Sequence, residues 1–194
     1  LNLSGGKKVD VWAARISYVG ESGWEIYFNN NKDDGLALYD SLLEVGVVPV
    51  GIETYANSRR LEKSFRLQGA DLETEYTAIE AAIQRPLVKE ADFHGKAAHL
   101  AQREEDPCAI LCTMTLDDLN VSGKTRYPVG ISPIIDPATG EVPIDSKGRR
   151  AYTTGMSYCP SLKKFVVMGY LPKEIAIQGK SLLIEYFNED GDGL

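Results

Sequence analysis

A chain of 194 residues, 43% apolar and 25% charged, is long enough to bury a core and too apolar to be disordered as a whole. A net charge of -7 argues against nucleic acid or an anionic membrane surface as the main partner, and no apolar run approaches the roughly 20 residues of a bilayer span. Cys108, Cys112 and Cys159 make an odd, sparse set, which fits a cytoplasmic or mitochondrial-matrix protein better than a secreted one.

The first recognisable pattern, "VDVWAARISYVGESGWEIYF", reads as two strands about the turn "GESG". "DDGLALYDSLLEVG" has helical apolar spacing, with Asp33 and Asp34 at its start and Gly46 at its end. "IETYANSRRLEKSF" predicts a second helix that stops near Gly69. "YTAIEAAIQRPLV" fits either a short helix or a loop closed by Pro86, and "ADFHGKAAHLAQREED" predicts a turn containing His94 and then a short helix from about Lys96.

After Pro107 the helical spacing gives way to strand-like runs split by glycine and proline, the pattern of a small barrel or sandwich: "CAILCTMTLDD", "RYPVGISPIID", "RRAYTTGMSY", "KFVVMGYLP" and "KSLLIEYF". The fold class is therefore α+β, with an α+β region over residues 1–103 and an all-β domain over 104–194. His94 and His99 are the only histidines, so a zinc site lacks ligands and no metal is expected. The first residue, Leu1, suggests a fragment or a processed product.

A four-residue loop in the first hairpin pairs Tyr18 with Glu25 and Ile16 with Tyr27. Val19, Trp24, Ile26 and Phe28 then turn towards the core, and Glu25 stands on the other face between the two phenols of Tyr18 and Tyr27. Two readings fit: a solvated Glu–Tyr cross-strand pair, or a carboxylate placed to accept the paired N–H donors of a flat ring such as a pterin or guanine.

Three longer segments in fixed order, "ARISYVGESGWEIYF", "NSRRLEKSFRLQGADLETEYTAIEAAI" and "DFHGKAA", resemble the glycine-cleavage T-protein family of tetrahydrofolate-dependent aminomethyltransferases, and "AYTTGMSYCPSLKKFVVMGYLP" resembles that family's small C-terminal barrel. The folate-binding domains of dimethylglycine and sarcosine dehydrogenases are similar. The resemblance covers nearly the whole chain but only the second half of the family's usual length. It implies the second half of a three-lobed fold, an α/β folate-binding lobe followed by a small β-barrel, with tetrahydrofolate in a central channel. It also implies that Glu25 binds the pterin edge, that Tyr18 lines the same site, and that Glu75 and Tyr152 lie near the folate mouth; Tyr27, on the same hairpin face as Glu25, is expected to join the site.

The family's catalytic aspartate belongs to the half expected upstream of Leu1, so no catalytic residue is assigned here. Against the cleavage-enzyme pattern Ala-Arg-Asp-Ser-Leu-Arg-Leu-Glu, "YANSRRLE" has Ala56 at the first arginine and Arg59 at the leucine, among other differences. The expectation for Arg60 and Glu62 is structural pairing, and for Arg66 either a solvated face or an approach to the glutamate tail of folate. The implied function is one-carbon transfer (aminomethyl or methyl) from a methylated amine or related donor. A lipoyl carrier protein or a flavin dehydrogenase domain is the implied partner. The alternatives are a folate-holding module of a flavin dehydrogenase and a non-catalytic relic of the fold.

Overall fold

In the computed structural model, which describes residues 1–29, 32–117 and 130–185, the first long element is the helix α1, Lys32–Glu44. Asp33 and Asp34 lie in its first turn, where the helix dipole favours negative charge. Gly46, at φ +88°, ends it: the Gly46 N–H donates to the Leu43 carbonyl and the Val47 N–H to the Leu42 carbonyl, the two bonds of a Schellman cap. Start and stop match the sequence expectation.

The second helix departs from it. A π-helical turn, Thr54–Arg59, runs into a short α-helical turn, α2, Arg60–Glu62, and the helix stops there rather than near Gly69. Ser64 follows in a left-handed conformation, and the Lys63, Ser64 and Phe65 N–H groups fold back onto the Arg60 and Leu61 carbonyls. Gly69 instead serves a later turn, at φ +85°. "YTAIEAA" resolves as one capped turn: the Thr77 N–H donates to Glu80 Oε2 at 2.9 Å and the Glu80 N–H to Thr77 Oγ1 at 3.2 Å, a reciprocal capping box. The helix α3, Lys96–Glu104, begins where expected, after His94 and Gly95.

Two strands open the chain, β1, Val11–Ala14, and β2, Glu25–Phe28, paired antiparallel. The main sheet orders β3, Ala109–Leu116, then β6, Lys164–Pro172, then β5, Tyr152–Cys159, all antiparallel with β6 central. β4, Ile134–Ile135, pairs with β7, Leu183–Ile184. No closed barrel forms among the described residues: β5 pairs with β6 on one edge and, on the other, only through a single bridge between Tyr152 and Pro133 and hydrogen bonds to residues 131 and 132, and the β4–β7 ladder is two residues long. Parts of "RYPVGISPIID" and "KSLLIEYF" lie outside the described residues.

β6 is buried on both faces. Val166, Met168 and Tyr170 pack with Leu61 and Tyr76 on one side, while Leu171 packs with Ile134 and Ala151 on the other. The first cluster also holds Ala81 and Leu111, so it draws on both sides of residue 103. Thr154 forms a bulge in β5, and its hydroxyl turns to donate to Asp71 Oδ1.

Candidate functional site

The hairpin register differs from the expected one. Trp12 stands opposite Tyr27 and Ala14 opposite Glu25, and residues 15–24 form a long connection instead of a four-residue turn. Tyr18 is therefore not the cross-strand partner of Glu25, and neither Val19 nor Trp24 lies on a strand. Trp24 is 64% exposed rather than core.

The physical reason is that this connection is seated on the second helix. Glu21 pairs with Arg59 at 2.7 Å, and Gly20, at φ +73°, lies so close to the Lys63 side chain that a Cβ there would clash with it. The Tyr18 hydroxyl donates to the Arg66 carbonyl at 2.9 Å. A tight turn would pull the connection away from these partners.

Glu25 is half-buried, and the Tyr27 hydroxyl donates to its Oε2. That hydrogen bond to a carboxylate holds the Tyr27 phenol above its usual range. The two-residue spacing on β2 places both side chains on one face in any register, so this half of the expected site forms despite the shift. The Trp12 ring lies 5.0 Å from that of Tyr27.

Tyr18 rejoins the group from another direction. Its ring is 5.4 Å from Tyr55 and stacks on Phe65 at 6.2 Å. Burial raises the Tyr18 phenol above its usual value, and the Tyr55 phenol adds to the rise at both Tyr18 and Tyr27. The rings gathered around Tyr18 are those of Tyr55 and Phe65, neither of which was foreseen. No spacing rule could place them, since a π turn shifts Tyr55 out of helical phase.

Glu75 and Tyr152 form a second group. The Tyr152 hydroxyl donates to Glu75 Oε2 at 3.3 Å, and burial followed by the Glu75 charge raises the phenol. Tyr76 lies 6.4 Å from Tyr152 and stacks face to face on Tyr170 with ring centroids 3.5 Å apart. Arg149 covers the other end: it pairs with Glu80 and Asp145 and sits 4.2 Å over the Tyr76 ring. Burial pushes the Glu80 carboxyl up, but the Arg149 guanidinium and the Thr77 N–H outweigh it and leave the group below the usual carboxylate range.

The expected structural role of Arg60 holds. Its side chain is 1% exposed, pairs with the fully buried Asp71, and donates to the Ala56 carbonyl at 2.8 Å and the Phe65 carbonyl at 3.1 Å. Asp71 in turn accepts the Leu67 N–H and the Thr154 hydroxyl. Glu62 accepts from Arg59 and from the Ser161 N–H at 2.9 Å, again a structural role. Arg66 meets neither expectation: it donates to the Ala81 and Ser64 carbonyls, closing the turn that presents its own carbonyl to Tyr18. Arg59, where the family pattern has leucine, binds Glu21, Glu62 and Ser161; that departure was the one visible signal of its importance.

Among the described residues no group of His, Cys, Asp and Glu is arranged to hold a metal, and no helix is long and apolar enough to cross a membrane. The groups present at Glu25 fit a planar heterocycle: a carboxylate acceptor with Oε1 taking no protein hydrogen bond among the described residues, and the Tyr27 ring bonded to it with Trp12 alongside.

Comparison with known proteins speaks to the family and the fold. Residues 5–90 match a family model described as the GCVT N-terminal domain. The chain is 30% identical to human mitochondrial dimethylglycine dehydrogenase over 190 residues, covering 94% of this chain and 20% of the dehydrogenase. It is 30% identical to an aminomethyltransferase from Thermosynechococcus vestitus over 175 residues, covering 90% of this chain and 43% of that enzyme. The crystal structure of glycine cleavage system aminomethyltransferase T from Bartonella henselae superposes with a TM-score of 0.70 at 24% identity, over 91% of this chain and 46% of that one, a likeness of fold. The chain thus spans a fifth of the dehydrogenase and less than half of the aminomethyltransferases. It is a relative of the glycine-cleavage T-proteins and of the dimethylglycine dehydrogenases, and shares the mixed helix-and-strand fold of the former.

Proposed function

We propose that this chain is the folate-binding, C-terminal half of a tetrahydrofolate-dependent one-carbon transferase, with Glu25 reading the amino-pyrimidine edge of the pterin. The observation that carries this reading is the half-buried Glu25 carboxylate, bonded by the Tyr27 hydroxyl with the Trp12 ring 5.0 Å from that of Tyr27. A carboxylate takes two parallel hydrogen bonds from a ring N–H and its neighbouring amine, and the rings supply flat contact. Tetrahydrofolate, when bound, supplies the nitrogen that accepts the one-carbon unit. On this reading the chain's own residues bind and orient it, with the hydrogen-bonded Glu75–Tyr152 pair as a second contact to the ligand.

The division at residues 103 and 104, the closed C-terminal barrel, the three-lobed arrangement and a catalytic aspartate upstream of Leu1 belong to the same proposal, as do a methylated amine as donor and a cytoplasmic or matrix location. On this reading the 194-residue chain alone does not transfer one-carbon units. A second reading, a folate-holding module joined to a flavin dehydrogenase, is favoured by the match over 94% of the chain to dimethylglycine dehydrogenase. A lipoyl carrier protein is the partner under the first reading and a flavin domain under the second.

Calorimetric titration with 5-formyltetrahydrofolate tests the shared part. Saturable binding is expected, and Glu25→Gln should weaken it about tenfold to a hundredfold, the worth of a charge-assisted hydrogen bond. Absent binding, with Glu25→Gln making no difference, would leave only a relic of the fold.

A further inference from the structure

The helix α1 is apolar on two sides, and only one of them is covered. Leu38 is buried and Leu42 half-buried on the inner side. Leu36, Tyr39 and Leu43, three and four residues apart, share a second side, and all three are exposed. A helix whose apolar surface spreads beyond one stripe is one that neighbours cover from more than one direction.

The stretch after the α1 cap has the same character. Val47, Val48, Val50 and Ile52 are exposed, and residues 47–51 carry no turn, bend or ladder. Among the described residues the Val48 and Val50 N–H groups and the Val47 and Val48 carbonyls take no main-chain partner. Apolar residues in close succession mark a strand that is covered on both faces, and its main-chain groups call for a ladder. The helix and the stretch together expose roughly 800 Å² of apolar side chain, more than the largest patch of a typical monomer and about one partner's share of a standard interface.

The chemistry of this face selects its cover. A lipid surface leaves the Val48 and Val50 N–H groups unpaired, and Asp40 and Glu44, which border Leu43 on α1, oppose an anionic bilayer. A second copy, docked by two-fold symmetry, sets the same two acids against their counterparts. A different polypeptide segment with a strand of its own meets both demands. The related aminomethyltransferases carry more than half of their length outside the part that this chain matches.

We propose that the outer side of α1 and residues 47–52 form the face on which the rest of a longer parent polypeptide docks, with a strand of that segment pairing along residues 47–51 and apolar side chains laid on Leu36, Tyr39 and Leu43. This rests on the part of the proposed function that makes the chain one half of a longer protein, and is independent of the folate reading of Glu25.

Hydrogen–deuterium exchange, read by mass spectrometry on the 194-residue chain and on the product of its full reading frame, tests it. In the 194-residue chain the Val48 and Val50 amides should exchange as unprotected peptide; in the full product they should exchange about 100-fold more slowly, with the β6 amides protected alike in both. Val48→Asp in the full product should restore fast exchange over residues 47–51 and leave β6 protected, which separates an opened face from a failure to fold. Equal exchange of residues 47–51 in the two proteins overturns the proposal. So does protection in the 194-residue chain that rises with its concentration and is lost in Val48→Asp, which would give the face to a second copy. Protection of that chain by phosphatidylcholine–phosphatidylserine vesicles overturns it in favour of a membrane. If the face is protected in the full product while Glu25→Gln leaves the folate titration unchanged, the folate reading falls and this inference stands.

Discussion

Two eight-residue stretches of similar make-up meet opposite fates. "FVVMGYLP", Phe165 to Pro172, is buried at every position, whereas "VGVVPVGI", Val45 to Ile52, is exposed at every position. Each is rich in valine and holds a proline and a glycine. The first lies in β6, with ladder partners on both edges and a hydrophobic cluster on each face. The second follows the cap of α1, where no ladder forms, and Val48 stays 78% exposed. The hairpin and α1 share that character: Trp12, Trp24, Leu36 and Tyr39 are all exposed. Apolar content alone therefore does not decide burial; the presence of strands or helices able to cover both sides does.

The sharpest way to break this contrast is to remove what fastens the buried region. Asp71→Ala leaves the Arg60 guanidinium buried and unpaired and frees the Thr154 hydroxyl at the β5 bulge. A loss of about 3–5 kcal/mol in urea unfolding is expected. A value below about 1 kcal/mol would mean that the pair does not fasten the sheet to the second helix.

A smaller effect should come from Glu80, whose carboxyl is held low by Arg149 after burial has pushed it up. A depressed acid contributes stability above its unfolded value of about 4.3 and loses it as pH falls through the folded value. Between pH 7 and pH 3 the unaltered chain should thus lose more stability than Glu80→Gln does. Parallel acid limbs would show that the Glu80–Arg149 contact contributes nothing. The smallest change should follow Val48→Ser, within about 0.5 kcal/mol, since the side chain has little burial to lose. A larger loss would show that this stretch is covered after all.

Parts of the site could be read before any tertiary contact was known, and parts could not. Glu25 and Tyr27 share a face because strand residues two apart always do. Arg60 was readable as a structural residue from its place in "RRLEK", and it pairs with Asp71. Tyr18 was paired with Glu25 through a register that does not form and was placed in the site by the resemblance as well; in the structure it meets the Arg66 carbonyl and the Phe65 ring. Tyr55 had no signal of its own, since a π turn leaves no mark in apolar spacing.

What the amino-acid sequence determined by itself was local: the capped ends of α1, the start of α3, the long strands after Pro107 and the pairing of Glu25 with Tyr27. Those features depend on residues within a few positions of each other, where propensity, capping and alternation act directly. Only the tertiary structure decided the hairpin register, the early stop of the second helix, the central place of β6 in the main sheet and the placing of Tyr18 against Tyr55. Each follows from contacts between distant residues, such as Glu21 with Arg59 and Asp71 with Thr154, whose combined strength outweighs the local preference.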